Sequence, residues 1–466
     1  MKIKMKNLYI IVIFIIISSV LSCHSQKYSE KPNVIIIYGD DIGIGDFSCY
    51  GSFHIKTPSI DRLATEGIIF HDAHSPNAFC SASRYSLLTG RYSWRSKVSE
   101  LKTGIFLKAG APFSIDPDRY TMADLFKSAG YKTACIGKWH LGVGKNDMKT
   151  KNWETSLDPG PNDVGFDYFF GLPGSNNYSP EVYMRNSMVV GERDNRKIAK
   201  VLTNEAVNFI KENKEIPFFL YFPTTNIHVP WTPDYEHNGK SDIGAYGDFV
   251  VEFDWIVGKV IDALLENGIY DNSIIIISSD NGAWAADDTY YNGKREESKM
   301  NERFRAIRDA GHFSNLIYQG NKGRLFEGGH IVPFIISWPE KIIHPSSNHS
   351  YVNQIDLFAS FAELLNINIP EGMAEDSQSM MPFLNGELEC GIIREEYVLV
   401  AKGKYSYRNG DWVYIDGPTN GTEVMGRGPV QLYNLRVDPS QRNNLAQDYP
   451  DRTREMKIKL DEILNK

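Results

Sequence analysis

A cysteine at the head of a short helical run opens the part of this chain that can do chemistry. In Phe79-Cys80-Ser81-Ala82-Ser83-Arg84-Tyr85-Ser86-Leu87-Leu88-Thr89-Gly90-Arg91 the Thr89-Gly90 step predicts a helix end, which sets Cys80 in the first turn. A group there meets unpaired backbone N–H donors at the positive end of a helix dipole, an environment for an anion. Arg84 lies one turn further on and can reach back to the same anion with a planar fork of donors.

Two acidic pairs follow hydrophobic runs. Asp40-Asp41 comes after Val34-Ile35-Ile36-Ile37-Tyr38, and Asp280-Asn281 after Ser273-Ile274-Ile275-Ile276-Ile277-Ser278-Ser279; both runs read as buried parallel strands. Ligands of open α/β sheets bind beyond the carboxyl ends of strands, so the two pairs are expected at one sheet edge. Adjacent carboxylates repel each other unless a cation holds them. Asp40, Asp41, Asp280 and the Asn281 carbonyl make an all-oxygen set for a hard cation. Without clustered histidines the set suits calcium better than zinc, and magnesium demands a tighter octahedron.

Three further runs end predicted strands or loops: Gly137-Lys138-Trp139-His140-Leu141-Gly142, Thr224-Thr225-Asn226-Ile227-His228-Val229-Pro230-Trp231, and Gly320-Asn321-Lys322-Gly323 leading to Glu327-Gly328-Gly329. A lone lysine or histidine on a loop is ordinarily a solvated side chain. The Gly-Lys-Trp-His-Leu-Gly sextet is far more specific.

Together these runs resemble the formylglycine-dependent (type I) sulfatases of the alkaline-phosphatase superfamily, among them bacterial carbohydrate sulfatases and arylsulfatases. The Cys80 run matches the signature Cys-x-Pro/Ala-x-Arg followed by Thr-Gly-Arg, and Gln431-Leu432-Tyr433-Asn434-Leu435 with Asp438-Pro439 and Asn443-Asn444-Leu445 resembles the C-terminal signature. The likeness spans Pro32 to Ala446. It implies that a formylglycine-generating or maturase enzyme converts Cys80 to 3-oxoalanine (formylglycine), whose hydrate is the nucleophile. It also implies a catalytic set of Cys80, Arg84, Lys138, His140, His228 and Lys322. One Ca2+ would be held by Asp40, Asp41, Cys80, Asp280 and Asn281. One hydroxyl of the hydrate attacks sulfur while His228 protonates the leaving oxygen; His140 then helps deprotonate the second hydroxyl and sulfate leaves. The sequence departs from the family at Ala82, where many members have proline, and at Ile331, where arginine is frequent.

The implied substrate is a sulfated oligo- or polysaccharide, either algal or a glycosaminoglycan fragment. Tyr246-Gly247-Asp248 faintly resembles N-acetylgalactosamine and galactose 6-sulfatases. Trp231, Asn176, Asn177, Asp288 and His312 are candidate sugar contacts. Two other readings stay in view: a phosphodiesterase or phosphonate monoester hydrolase of the same superfamily, and an inactive lipoprotein that binds sulfated glycans. Two-zinc members of the superfamily need metal-site histidines that this sequence lacks.

The elements that must position these residues predict an α/β fold, a large mostly parallel sheet sandwiched by helices. Past Pro370 short strands and a helix from Pro450 onward predict a small C-terminal antiparallel subdomain. The expected division is a catalytic domain over 32–369 and a subdomain over 370–466. The stretch Ala285 to His312 is polar and poorly periodic, and reads as a long insertion at the pocket rim. With 42% hydrophobic and 23% charged residues the chain is of ordinary globular composition, and 12% aromatic residues suit sugar-stacking surfaces.

Lys2, Lys4 and Lys6 precede an apolar stretch from Leu8 to Val20, the pattern of a signal peptide over 1–22. Val20-Leu21-Ser22-Cys23 resembles a bacterial lipobox, which implies a lipid on Cys23, a linker over 23–31, and an exported periplasmic or cell-surface lipoprotein of a Gram-negative bacterium. The formal charge is −8, and removal of 1–22 leaves 47 basic against 58 acidic side chains. Nothing in this balance recommends nucleic acid as a partner, and none is expected. Five cysteines, one lipidated and one oxidised, leave no disulfide framework.

Overall fold

The computed structural model describes residues 31–147, 149–284, 299–342, 346–387, 391–416 and 430–465. The signal peptide, Cys23, Asp288 and Cys390 lie outside the described residues.

The first strand sets the architecture. β1 (Asn33–Gly39) is buried along its whole length, with Val34, Ile36 and Tyr38 packed into one core and Ile35 and Ile37 into another on the opposite face. Period-two alternation sends successive side chains to opposite faces, so an uninterrupted apolar strand must be covered on both sides. Each such isoleucine contributes about 1.5–3 kcal/mol of transfer free energy. Along one face run the helices Ile198–Glu212 and Ala245–Glu266; along the other run Cys80–Thr89, Met122–Ser128 and Leu357–Leu364.

The remaining strands are β2 (Gly67–His74), β3 (Lys132–Lys138), β4 (Tyr168–Leu172), β5 (Val182–Arg185), β6 (Met188–Glu192), β7 (Phe218–Pro223), β8 (Ser273–Ser279), β9 (Phe334–Ser337) and β10 (Ser346–Asn353). They form one ten-stranded sheet in the order β10-β2-β9-β8-β1-β7-β3-β4-β5-β6. Its centre, β8-β1-β7-β3-β4, is parallel, while β9 runs antiparallel between β2 and β8. The β1–β8 register pairs Gly39 with Ser279. Asp40 and Asp280, the next residue of each strand, therefore leave the sheet side by side.

A second sheet of four antiparallel strands, β11 (Glu396–Ala401), β12 (Lys404–Asn409), β13 (Trp412–Ile415) and β14 (Gln431–Asn434), carries the helix Pro450–Leu464. Its core is shared with Ala78, Tyr92, Trp94, Leu325 and Ile355, so this sheet packs beside the segments that flank Cys80 and Lys322.

Several expectations are adjusted. The helix Lys299–Asp309 occupies part of the stretch read as an irregular insertion, with Phe304 and Ile307 buried; its high charge masks a short apolar face. Gly165 to Phe169, read as loop, feeds β4, and the hairpin β5–β6 had no alternating pattern to betray it. β10 (SSNHSYVN) is polar because it is an edge strand.

Candidate active site

Four of the five central strands deliver candidate residues at their carboxyl ends: Asp40-Asp41 after β1, Lys138 and His140 from β3, His228 beyond β7, Asp280-Asn281 after β8. Asp40 is locked on both sides, its N–H donating to Asn226 O at 2.7 Å and its carbonyl accepting from Ile227 N at 2.6 Å. Asp41 turns with φ 66°, a left-handed conformation that asparagine and aspartate tolerate better than bulky residues. The Asp280 N–H donates to Gly39 O at 3.2 Å, and Asn281 Nδ2 donates to Asp41 Oδ1 at 2.8 Å.

Cys80 begins the helix Cys80–Thr89, and every residue of that helix is buried. Gly90 at φ 62° ends it in the left-handed conformation expected of Thr89-Gly90. Arg84 donates from Nε and Nη2 to Asp280 Oδ2 at 3.0 and 2.6 Å and from Nη1 to the Lys138 carbonyl at 3.1 Å. The fork thus joins the cysteine helix to β8 and β3. Lys138 Nζ donates to Asp40 Oδ2 and Lys322 Nζ to Asp41 Oδ1, each at 2.5 Å. Lys322 comes close because Gly323 stands at φ +80° with the Phe79 ring where a Cβ would be, 2.5 Å away. Gly282 is equally constrained: an added Cβ would lie 2.0 Å from the Gly328 carbonyl.

The charges decide protonation. Burial pushes Asp40 up, but Lys138, with His228, Lys322 and Arg84, outweighs it and holds the carboxyl well below the usual carboxylate range. Asp280 is pushed up to about 6 by burial and by the charge of Asp40, against the pull of Arg84. Two crowded carboxylates are what a cation relieves. Burial raises the Cys80 thiol, with Lys138 and Lys322 opposing.

Both histidines are neutral and each has a defined tautomer. Burial, helped by Lys322 and Lys138, pulls His228 down to about 4 against Asp40. Its Nδ1 faces two acceptors, Val229 O at 2.7 Å and Asn176 Oδ1 at 2.9 Å, so Nδ1 carries the hydrogen and Nε2 the lone pair. Burial and the charges of Lys138 and Arg84 pull His140 well below its ordinary value. His140 Nε2 faces Leu107 O at 3.0 Å, leaving a buried Nδ1 with no partner among the described residues.

The donor set fits a hard cation. Asp40 Oδ1, Asp41 Oδ2 and Asn281 Oδ1 are buried oxygens with no hydrogen-bond partner among the described residues, and buried polar atoms ordinarily find one. One ring nitrogen of His228 lies within 4.8 Å of carboxylate oxygens of Asp40 and Asp41.

The fold brings the sequence-derived candidates Cys80, Arg84, Lys138, His140, His228, Lys322, Asp40, Asp41, Asp280 and Asn281 into one cluster at the carboxyl edge of the sheet. The Sulfatase family model matches residues 32–367. This chain belongs to the sulfatase family. A Bacteroides thetaiotaomicron N-acetylgalactosamine-6-O-sulfatase is 33% identical over 93% of each chain. A solved structure described with a Bacteroides thetaiotaomicron locus for the metabolism of multiple glycosaminoglycans superimposes with a TM-score of 0.82 at 32% identity, covering 94% of this chain and 100% of that one. A second, Ps i-CgsB in complex with a neocarrahexaose, matches with a TM-score of 0.74 at 25% identity over 93% of each chain.

Three supports of this sulfatase site escaped the sequence reading. Asn176, expected at the sugar, is buried against His228, donating to its carbonyl at 3.1 Å as well as accepting from its ring. Glu252 accepts from Asn226 Nδ2 and from Asp234 N; its signal is a carboxylate among Phe249, Phe253 and Ile256 on the apolar stripe of its helix. Arg408 of β12 donates to Asp72 at 2.6 and 2.9 Å and lies 3.5 Å from Glu327, at the end of the Lys322 loop. That guanidinium also stands 3.2 Å from His74 Nε2, so the buried His74–Glu327–His330 group already has its cation.

Proposed function

We propose that this sulfatase removes sulfate from a sulfated carbohydrate, an algal polysaccharide or glycosaminoglycan fragment, using an oxidised Cys80 and one calcium ion. The observation that carries the reading is the convergence of Arg84, Lys138 and Lys322 with the Asp40, Asp41, Asp280 and Asn281 oxygens around the head of the Cys80 helix. The likeness to a carbohydrate sulfatase over nearly the whole of both chains supports the substrate class.

Cys80 as 3-oxoalanine offers two oxygens on one carbon when hydrated, which neither serine nor cysteine can do. Asp40, Asp41, Asp280, Asn281 and the modified Cys80 would hold the Ca2+, which supplies charge stabilisation for the sulfuryl oxygens. Lys138 and Lys322 bind and orient the sulfate, and Arg84 holds Asp280 and the helix in register; removing one such preorganised donor typically costs about 10²–10³ in rate. The incoming sulfate brings negative charge against the neutral His228 ring, which favours its protonation at Nε2 for delivery to the departing sugar oxygen. His140 Nδ1, unprotonated and unpartnered, is the acceptor for a proton from the hydrate.

Export follows from the basic n-region, the apolar stretch and the lipobox, with Cys23 as the lipid-bearing residue. Cys80 oxidation makes a maturase of the host a partner. The experiment is sulfate release from a panel of sulfated saccharides by protein co-produced with a maturase. Release from at least one saccharide, exceeding phosphate release from matched aryl phosphates, is the expected result. Phosphate release exceeding sulfate release on matched aryl esters overturns the reading in favour of the phosphohydrolase class.

A further inference from the structure

One loop bears on both histidines, although they leave different strands. Between β4 and β5 the chain runs Pro173-Gly174-Ser175-Asn176-Asn177-Tyr178. Asn176 holds His228 as described above, and Ser175 Oγ stands 3.2 Å from the same Nδ1 while donating to Asn176 Oδ1 at 3.1 Å. Two residues on, Tyr178 reaches His140. Its hydroxyl donates to the Leu107 carbonyl at 2.8 Å and lies 3.2 Å from His140 Nε2, with the two rings edge-on at 5.1 Å. The phenol hydrogen is spent on Leu107, so the Tyr178 oxygen faces His140 as an acceptor. With the Leu107 carbonyl it keeps the hydrogen of His140 on Nε2 and the lone pair on Nδ1.

His140 needs such support. Its backbone stands at φ 56°, a left-handed conformation that a non-glycine residue keeps only where its surroundings over-determine it. The loop restrains that backbone too, since the His140 N–H donates to Pro173 O at 3.2 Å. Gly174 makes room for the Tyr178 ring, whose Cδ2 lies 2.6 Å from where a Cβ would be.

The loop is fastened in turn from a third place. Arg193, the residue after β6, is 6% exposed, and its N–H donates to Glu181 O at 2.8 Å across the base of the β5–β6 hairpin. Its guanidinium donates from Nη1 to Ser175 O at 3.4 Å and from Nη2 to Tyr178 O at 3.0 Å. One fork thus spans both ends of the Ser175–Tyr178 turn. Burial pulls Arg193 below its ordinary value, with the charge of Glu181 opposing. A buried charge is costly, and the bonds this one makes go to the loop that bears on both histidines. Arg193, Ser175, Tyr178 and His140 line one crevice.

We propose that Arg193 is a positioning residue for sulfate-ester hydrolysis: by clamping the Ser175–Tyr178 turn it sets His228 through Asn176 and His140 through Tyr178. A single device then aligns the proton donor of one step and the proton acceptor of the next. The inference rests on the acid and base roles proposed above for His228 and His140.

The test measures kcat and kcat/KM on an alkyl sulfate and on 4-nitrophenyl sulfate for matured wild type, Asn176→Ala, Tyr178→Phe and Arg193→Met. In a two-step reaction kcat/KM reports the steps up to departure of the alcohol, which draw on His228. With a good leaving group kcat reports sulfate release, which draws on His140. Asn176→Ala lowers kcat/KM on the alkyl sulfate. Tyr178→Phe lowers kcat on nitrophenyl sulfate and spares its kcat/KM. Arg193→Met lowers both readings by about tenfold or more, because a misplacement of about 1 Å can cost 10²-fold. A smaller active fraction would instead scale all four values by one factor. A folded Arg193→Met variant that shows this uniform scaling, or that loses neither or only one of the two readings, overturns the clamp. Should Arg193→Met not fold, Arg193→Lys keeps the charge without the fork and lowers the same two readings; wild-type values there overturn the clamp. His140→Ala and His228→Ala run alongside. If they leave the two readings unchanged, the acid–base reading fails and the clamp with it; if they lower them while folded Arg193 variants do not, the clamp alone fails.

Discussion

Glu252 accepts a hydrogen bond from Asn226 Nδ2 at 2.8 Å, and its other oxygen accepts from the Asp234 backbone N–H at 2.7 Å. One buried carboxylate thus ties both ends of the loop that carries His228. Burial pushes Glu252 up to about 7 against the pull of those two donors. Between the unfolded value of 4.5 and about 7, the folded protein keeps a proton that the unfolded chain has lost. Stability from this group therefore falls as pH rises through that window, by up to about 3 kcal/mol. Glu252→Gln removes that slope and loses one acceptor, worth about 1 kcal/mol at every pH. Denaturant unfolding at acid and mildly alkaline pH checks this: the variant gains on wild type as pH rises, and a pH-independent difference contradicts the account.

Arg408 is buried against Asp72 and Glu327. Arg408→Met leaves two carboxylates without their cation and destabilises by about 3–5 kcal/mol, as loss of one partner from a buried ionic group does. Chemical denaturation reads the loss, and Arg454→Met, whose ion pair with Asp451 is exposed, is the control with little change.

Calcium held by the Asp40, Asp41 and Asn281 oxygens, as proposed, would couple to stability. A cation present at a hundredfold excess over its Kd adds about 2.7 kcal/mol. Thermal unfolding of chelator-treated protein rises on adding calcium in wild type, and the rise shrinks sharply in Asp41→Asn. Identical melting with and without calcium would count against the site.

His228→Ala separates leaving groups. Loss of the proposed proton donor hurts alkyl sulfates, whose alcohols leave poorly, far more than nitrophenyl sulfate, by about 10²–10⁴ in the first case. Steady-state rates on both substrate types check it, and equal losses refute the acid role.

The parallel centre of the fold was legible because β1, β7 and β8 carry continuous apolar runs and are buried throughout; the strand-end rule then gathered Asp40, Asp41, Asp280 and Asn281, and the family resemblance added Lys138, His140 and His228. The resemblance to sulfatase motifs supplied Cys80, Arg84 and Lys322. What stayed hidden was set by tertiary contacts that no local pattern encodes. Edge strand β10 is polar, Arg408 reaches Asp72 across 336 positions, and Asn176 turns from the sugar side to His228 across 52. Glu252 alone carried a local signal, a carboxylate on an apolar helix face, and was hidden by the hydrophobic stripe around it.

The most direct measurement is the mass of the peptide containing Cys80, isolated from the native host or from a strain that co-produces a maturase. The account predicts a mass loss matching conversion of the thiol side chain to an aldehyde, and no turnover in a folded Cys80→Ala variant. An unmodified cysteine in protein that still hydrolyses sulfate esters would contradict it.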